Sequence, residues 1–166
     1  MSKQSKTPRD MAADSIKSRR LGEIGLENFA PYLMNRIMGR YNANLREEMA
    51  DLGLTTPQMR ALSVLSAKDN ILIRELAVYA VVEQSTLSRA LDSLAASGLI
   101  KRKTDENDSR ATRVSLTDAG RAAYERLWPH MAAFYDQMFD GIDPQEQRAF
   151  VGTLQTLLGN IRKHDF

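Results

Sequence analysis

Apolar residues recur along the chain at two different periods, and the switch between them outlines the fold. From Asn28 to about Leu52, Phe29, Leu33, Ile37, Tyr41, Leu45, Met49 and Leu52 follow one another at spacings of three and four, the repeat of one helical face. Met34 and Met38 widen that stripe, so this helix is expected to meet both its own domain and a second body, most simply another copy of the chain. Gly53 marks its end, and Thr56 followed by Pro57 supplies a cap and first-turn proline for a helix through about Ala67 with Met59, Leu62 and Leu65 inside. A short helix follows over 74–80, with Leu76, Ala77 and Ala80 inward. Another runs from Gln84 to Ser97, where Leu87, Leu91 and Leu94 share one face.

After Gly98 the period becomes that of strands. Residues 99–104 and 112–116 read as a hairpin joined by the polar, turn-forming run 105–111. Thr117 caps a helix to around Phe139 carrying Ala123, Leu127, Met131, Phe134 and Met138, in which Pro129 is expected to produce a kink. Asp143-Pro144-Gln145-Glu146 starts a last helix whose seam is Phe150, Leu154, Leu157, Leu158 and Ile161. The class is mainly α with a small β component (α+β).

At 166 residues with 43% hydrophobic positions, the chain suits one domain-sized core. Its net charge of +2 announces no partner, so the location of the charges matters more. Residues 1–20 hold six cations against two carboxylates and read as a disordered basic tail, solvated or touching phosphates. The hairpin gathers Lys101, Arg102, Lys103, Arg110 and Arg113 against Asp105, Glu106 and Asp108. The absence of cysteine excludes disulfides, thiolate metal sites and cysteine nucleophiles. With only His130 and His164 as imidazoles, a metal centre is not expected, nor is a cofactor. Glycine-rich phosphate loops, nucleophile elbows and zinc-protease motifs are missing, which argues against an enzyme. No apolar run suits a membrane span or a signal core, giving an expectation of a soluble, cytoplasmic protein without a membrane partner.

Two short helices with a tight connection, the second opening on small polar residues and followed by a basic hairpin, describe a winged helix-turn-helix. A helix enters the major groove only if its leading side chains are short. Ser85, Thr86 and Ser88 meet that condition. Gln84 suits adenine, and Arg89 suits guanine or a phosphate. Lys101, Arg102, Arg110 and Arg113 are the hairpin cations available to a duplex, although strand alternation turns some of the strand cations away from it. The alternative is a winged helix that contacts protein without reading DNA.

Leu87-Ser88-Arg89-Ala90-Leu91-Asp92-Ser93-Leu94, Gly98-Leu99-Ile100-Lys101-Arg102, Asp108-Ser109-Arg110 and Leu116-Thr117-Asp118-Ala119-Gly120 resemble, in order and spacing, the signature of MarR-type transcriptional regulators. The resemblance covers roughly residues 28–163. It implies a homodimer on a pseudo-palindromic double-stranded operator; the expected action is that of a repressor released by a small-molecule effector. Residues 21–54 and 117–166 would form the helical dimerisation region and 55–116 the DNA-binding domain. It also implies that Arg110 enters the minor groove while Asp108 braces the wing. Family members commonly bind small aromatic effectors, for which Met34, Met38, Met59, Tyr124 and Trp128 are candidates, with ordinary core packing as the competing reading. Two departures stand out: Ala80-Val81-Val82-Glu83 lacks a turn glycine, and Glu83 beside the reading helix repels phosphates unless it faces a cation or the helix N-terminus.

Overall fold

The computed structural model describes residues 19–164 and divides into two compact units, with the boundary between Ala43 and Asn44. Of the basic tail, residues 1–18 lie outside the described part. Arg19 and Arg20 belong to the start of the first helix, α1 (Leu21–Ile24): Arg19 Nη2 donates to the Glu23 carbonyl at 3.1 Å and the Arg20 amide to the Glu23 carboxylate at 3.0 Å. A 3-10 turn (Leu26–Asn28) precedes α2 (Ala30–Asp51), whose residues from Asn44 onward belong to the second unit. Leu33, Ile37 and Met38 are exposed in the single chain.

The second unit continues with α3 (Thr56–Ala67), β1 (Ile71–Leu72), α4 (Ile73–Ala80), α5 (Gln84–Ala96), β2 (Ile100–Thr104), β3 (Thr112–Leu116), α6 (Asp118–Met138) and α7 (Pro144–Ile161). The cap of α3 falls one residue earlier than the sequence suggested. Thr55 is the N-cap, because the Gln58 side chain reaches back to accept from both its amide (2.8 Å) and its hydroxyl (2.9 Å). Gln58 then donates to Ser93 Oγ at 2.9 Å, tying α3 to α5 with its polar atoms satisfied although the residue is buried. Helix α6 continues through Pro129 as one element.

Leu62 and Leu65 of α3, Leu76 of α4, and Leu87, Leu91 and Leu94 of α5 meet Ile100, Val114 and Leu116 of the strands in a single core. Each such side chain contributes about 1.5–3 kcal/mol when fully buried. The hairpin gains a third strand that the sequence did not reveal: β1 pairs antiparallel with β3 (Ile71 opposite Val114), giving the order β1-β3-β2. Two residues are too few to show an alternating pattern, and tertiary pairing makes the strand. The result is a winged helix-turn-helix: α4 and α5 form the helix pair, and the β2–β3 hairpin forms the wing.

Candidate nucleic-acid interface

The leading face of α5 is open. Gln84, Ser85, Thr86, Ser88 and Arg89 are all exposed, whereas Leu87, Ala90, Leu91 and Leu94 are buried. The i, i+4, i+7 leucines anchor one side of the helix and thereby aim the short polar side outward. The turn before it has no glycine, and Val81 takes the left-handed conformation (φ 51°, ψ 49°) in its place. That is an unfavourable backbone region for a β-branched residue. Arg60 spans the turn, donating to the Val81 carbonyl at 3.0 Å.

Glu83 resolves the question its charge raised, because it is the N-cap of α5. One carboxylate oxygen accepts from the Ser85 amide (2.9 Å), the Thr86 amide (3.3 Å) and the Ser85 hydroxyl. The Ser85 hydroxyl foremost, then the Thr86 amide, holds its carboxyl below the ordinary value, the favourable placing of an acid at a helix N-terminus.

On the wing, register sorts the cations by face. Ile100 and Arg102 stand opposite Leu116 and Val114, and Lys101 and Lys103 stand opposite Ser115 and Arg113. Arg102 therefore shares the side of the buried residues and reaches Asp92 of α5 at 2.8 Å. Lys103 pairs with Glu106 at 2.6 Å, which raises the lysine's pKa and lowers the glutamate's. Lys101 is exposed. Arg113 is already engaged: its Nε lies 2.5 Å from Asp105 Oδ2 and its Nη1 donates to the Asn70 carbonyl at 2.8 Å.

Arg110 projects at the wing tip with its side chain 91% exposed, and Asp108 steadies it, accepting from its amide at 3.0 Å and lying 3.4 Å from its Nε. A second acid, Asp105, was not singled out from the sequence. Buried beneath the tip, it accepts from the amides of Asn107 (2.9 Å) and Asp108 (3.0 Å) as well as from Arg113. The Arg113 guanidinium, followed by those amides, lowers its pKa. An Asp followed by polar turn residues is a sequence signal for such a turn, but its burial was not visible there.

Helix α5 and the wing share one crevice of about 370 Å³, into which Gln84 and Ser88 of α5, Arg74 of α4 and Asp108 and Arg110 of the wing all open. Arg74 is an exposed cation on the first helix of the pair that the sequence reading missed. Its only signal was its place in the first turn of α4.

The five residues considered for an effector separate into the two units. Met34 and Met38 lie in the first; Met59, Tyr124 and Trp128 lie in the second. Met59 is buried, as core packing requires, while Tyr124 and Trp128 pack ring against ring at 6.2 Å with Trp128 half exposed. Among the described residues no cluster of His, Cys, Asp or Glu suits a metal ion, and no helix is long and apolar enough to cross a membrane.

Residues 52–111 match the profile of the MarR family. A helix-turn-helix-type transcriptional regulator from Bacillus cereus is 31% identical over 129 residues, covering 78% of this chain and 84% of that protein. The crystal structure of a MarR-family transcriptional regulator from Silicibacter pomeroyi superimposes with a TM-score of 0.86 at 64% identity, covering 89% of this chain and all of that one. BpsR from Bordetella bronchiseptica, whose DNA binding is regulated by 6-hydroxynicotinic acid, superimposes with a TM-score of 0.67 at 26% identity over 77% of this chain and 97% of its own.

Proposed function

This chain belongs to the MarR family of winged helix-turn-helix transcriptional regulators, and from that premise we propose that it is a homodimeric, sequence-specific DNA-binding repressor released by a small-molecule effector. The observation that carries this reading is the shared crevice: Gln84 and Ser88 of the reading helix and Arg110 of the wing open onto the same space. One duplex can then meet the helix in its major groove and the wing arginine in the adjoining minor groove, where negative potential is strongest. Arg74 adds a phosphate contact on the first helix of the pair.

Two copies related by a two-fold axis would place their reading helices about 34–36 Å apart, one turn of duplex, so a pseudo-palindromic operator is expected. The regions 21–54 and 117–166 supply the pairing surface, and the protein works in the cytoplasm. An effector acts by favouring one spacing of the two reading helices over the other. BpsR suggests an aromatic acid for this role, and the stacked Tyr124 and Trp128 are the aromatic side chains to test against it.

Titration of a duplex selected by the protein, at several salt concentrations, tests this reading. The logarithm of the affinity falls linearly with log[salt] if phosphates are neutralised, and Arg110→Ala lowers the affinity about tenfold at fixed salt, the loss of one arginine's groove contact. A duplex affinity that neither salt nor Arg110→Ala changes, or no duplex binding at all, would overturn this reading and favour a winged helix that contacts protein.

A further inference from the structure

We infer that the first turn of α5 offers a duplex hydrogen-bond acceptors at Glu83 and Ser85, and so selects adenine or cytosine over guanine or thymine on the strand it faces; this rests on the DNA-binding reading above. Glu83 Oε2 receives the hydroxyl of Ser85 together with the amides of Ser85 and Thr86. An ionised carboxylate can only accept. The Ser85 hydroxyl proton therefore lies between the two side chains, and the outer side of Ser85 Oγ shows lone pairs alone. Both residues are exposed at the leading end of the helix.

In the major groove adenine N6 and cytosine N4 donate, whereas guanine presents N7 and O6 and thymine presents O4, all acceptors. Acceptors on the protein attract the first pair of bases and repel the second. The same carboxylate occupies the amides that would otherwise draw a phosphate to a helix N-terminus. This turn is thus directed away from the backbone and toward a base edge. Donors come from its neighbours: Gln84 both donates and accepts, and Arg89 only donates.

The test is binding selection from a random duplex pool with the full chain, with Ser85→Ala, and with Glu83→Gln. The amide carbonyl of the glutamine keeps the cap while its NH2 supplies a donor. The wild-type protein is expected to enrich adenine or cytosine at one position of each half-site by about three- to tenfold, the effect of one hydrogen bond. Ser85→Ala flattens that position, and Glu83→Gln moves it toward guanine or thymine, with the rest of the operator unchanged. An operator that neither variant alters, or guanine or thymine enriched by the wild type at the position Ser85→Ala affects, overturns the inference and leaves DNA binding intact. A pool from which the wild type enriches nothing overturns both.

Discussion

Asp105 and Arg113 face each other beneath the tip of the wing, carboxylate Oδ2 2.5 Å from guanidinium Nε. Through this pair a cation in the hairpin serves the hairpin's own shape. Asp105 simultaneously receives the Asn107 and Asp108 amides, while Arg113 reaches the Asn70 carbonyl beyond β3. The loop that carries Arg110 is built on these four bonds.

Replacing Asp105 with Asn removes the charge at nearly constant volume. Amide exchange at Asn107 and Asp108 should accelerate on the order of tenfold as the tip opens more often, while the core helices keep their protection. The pH dependence has a definite sign. Because Asp105 has a lower pKa folded than unfolded, its stabilisation is complete above the ordinary carboxylate value and is lost as the pH falls through the lowered one. Melting curves of wild type and Asp105→Asn should converge on acidification; a gap that persists unchanged in acid would assign the effect to something other than this carboxylate.

Gly120 lies where α6 passes the end of α5, and a Cβ there would fall 1.9 Å from the Leu99 carbonyl oxygen. That oxygen already accepts from the Thr117 amide at 3.1 Å, so it is poorly placed to retreat. Gly120→Ala should cost about 1–3 kcal/mol in denaturant unfolding. An unchanged midpoint would mean that the backbone yields freely at this crossing.

Val81, 79% exposed, bears the left-handed turn without packing to compensate for it. Val81→Asn substitutes a residue that visits this conformation readily, and should stabilise the protein by about 0.5–1 kcal/mol, read as a higher melting temperature. A lower one would show that the valine side chain contributes more than its exposure suggests.

Along α7, Phe150, Leu157, Leu158 and Ile161 are exposed in the single chain, Ile161 at 76%. If this face pairs with a second copy, Leu157→Asp buries two unpaired carboxylates per symmetric interface. Sedimentation should then show self-association weakened by about a hundredfold or more, the loss of two buried leucines. A variant as dimeric as the wild type would place the interface elsewhere.

Helix α5, the two strands of the wing and the caps at Thr117 and Asp143 were legible in the residue order, because each depends on neighbours within a few positions: a leucine every third or fourth place, an alternation of two, an acid before a proline. The exposure of Gln84, Ser88 and Arg89 was legible for the same reason, as the far side of a helix whose leucines are buried.

What each charge touches was not. Arg102 and Arg113 read in the sequence as cations of the same kind as Arg110, yet one meets Asp92 on α5 and the other a buried carboxylate and a carbonyl 43 positions away. Strand register and the closure of β1 onto β3 decide those partnerships. Likewise Glu83, a repulsive charge beside a reading helix when taken alone, becomes a cap once the Ala80–Glu83 turn brings its carboxylate over the amides of Ser85 and Thr86. Local periodicity determines which residues turn outward; only the packed chain determines which of those are already satisfied and which are left for a partner.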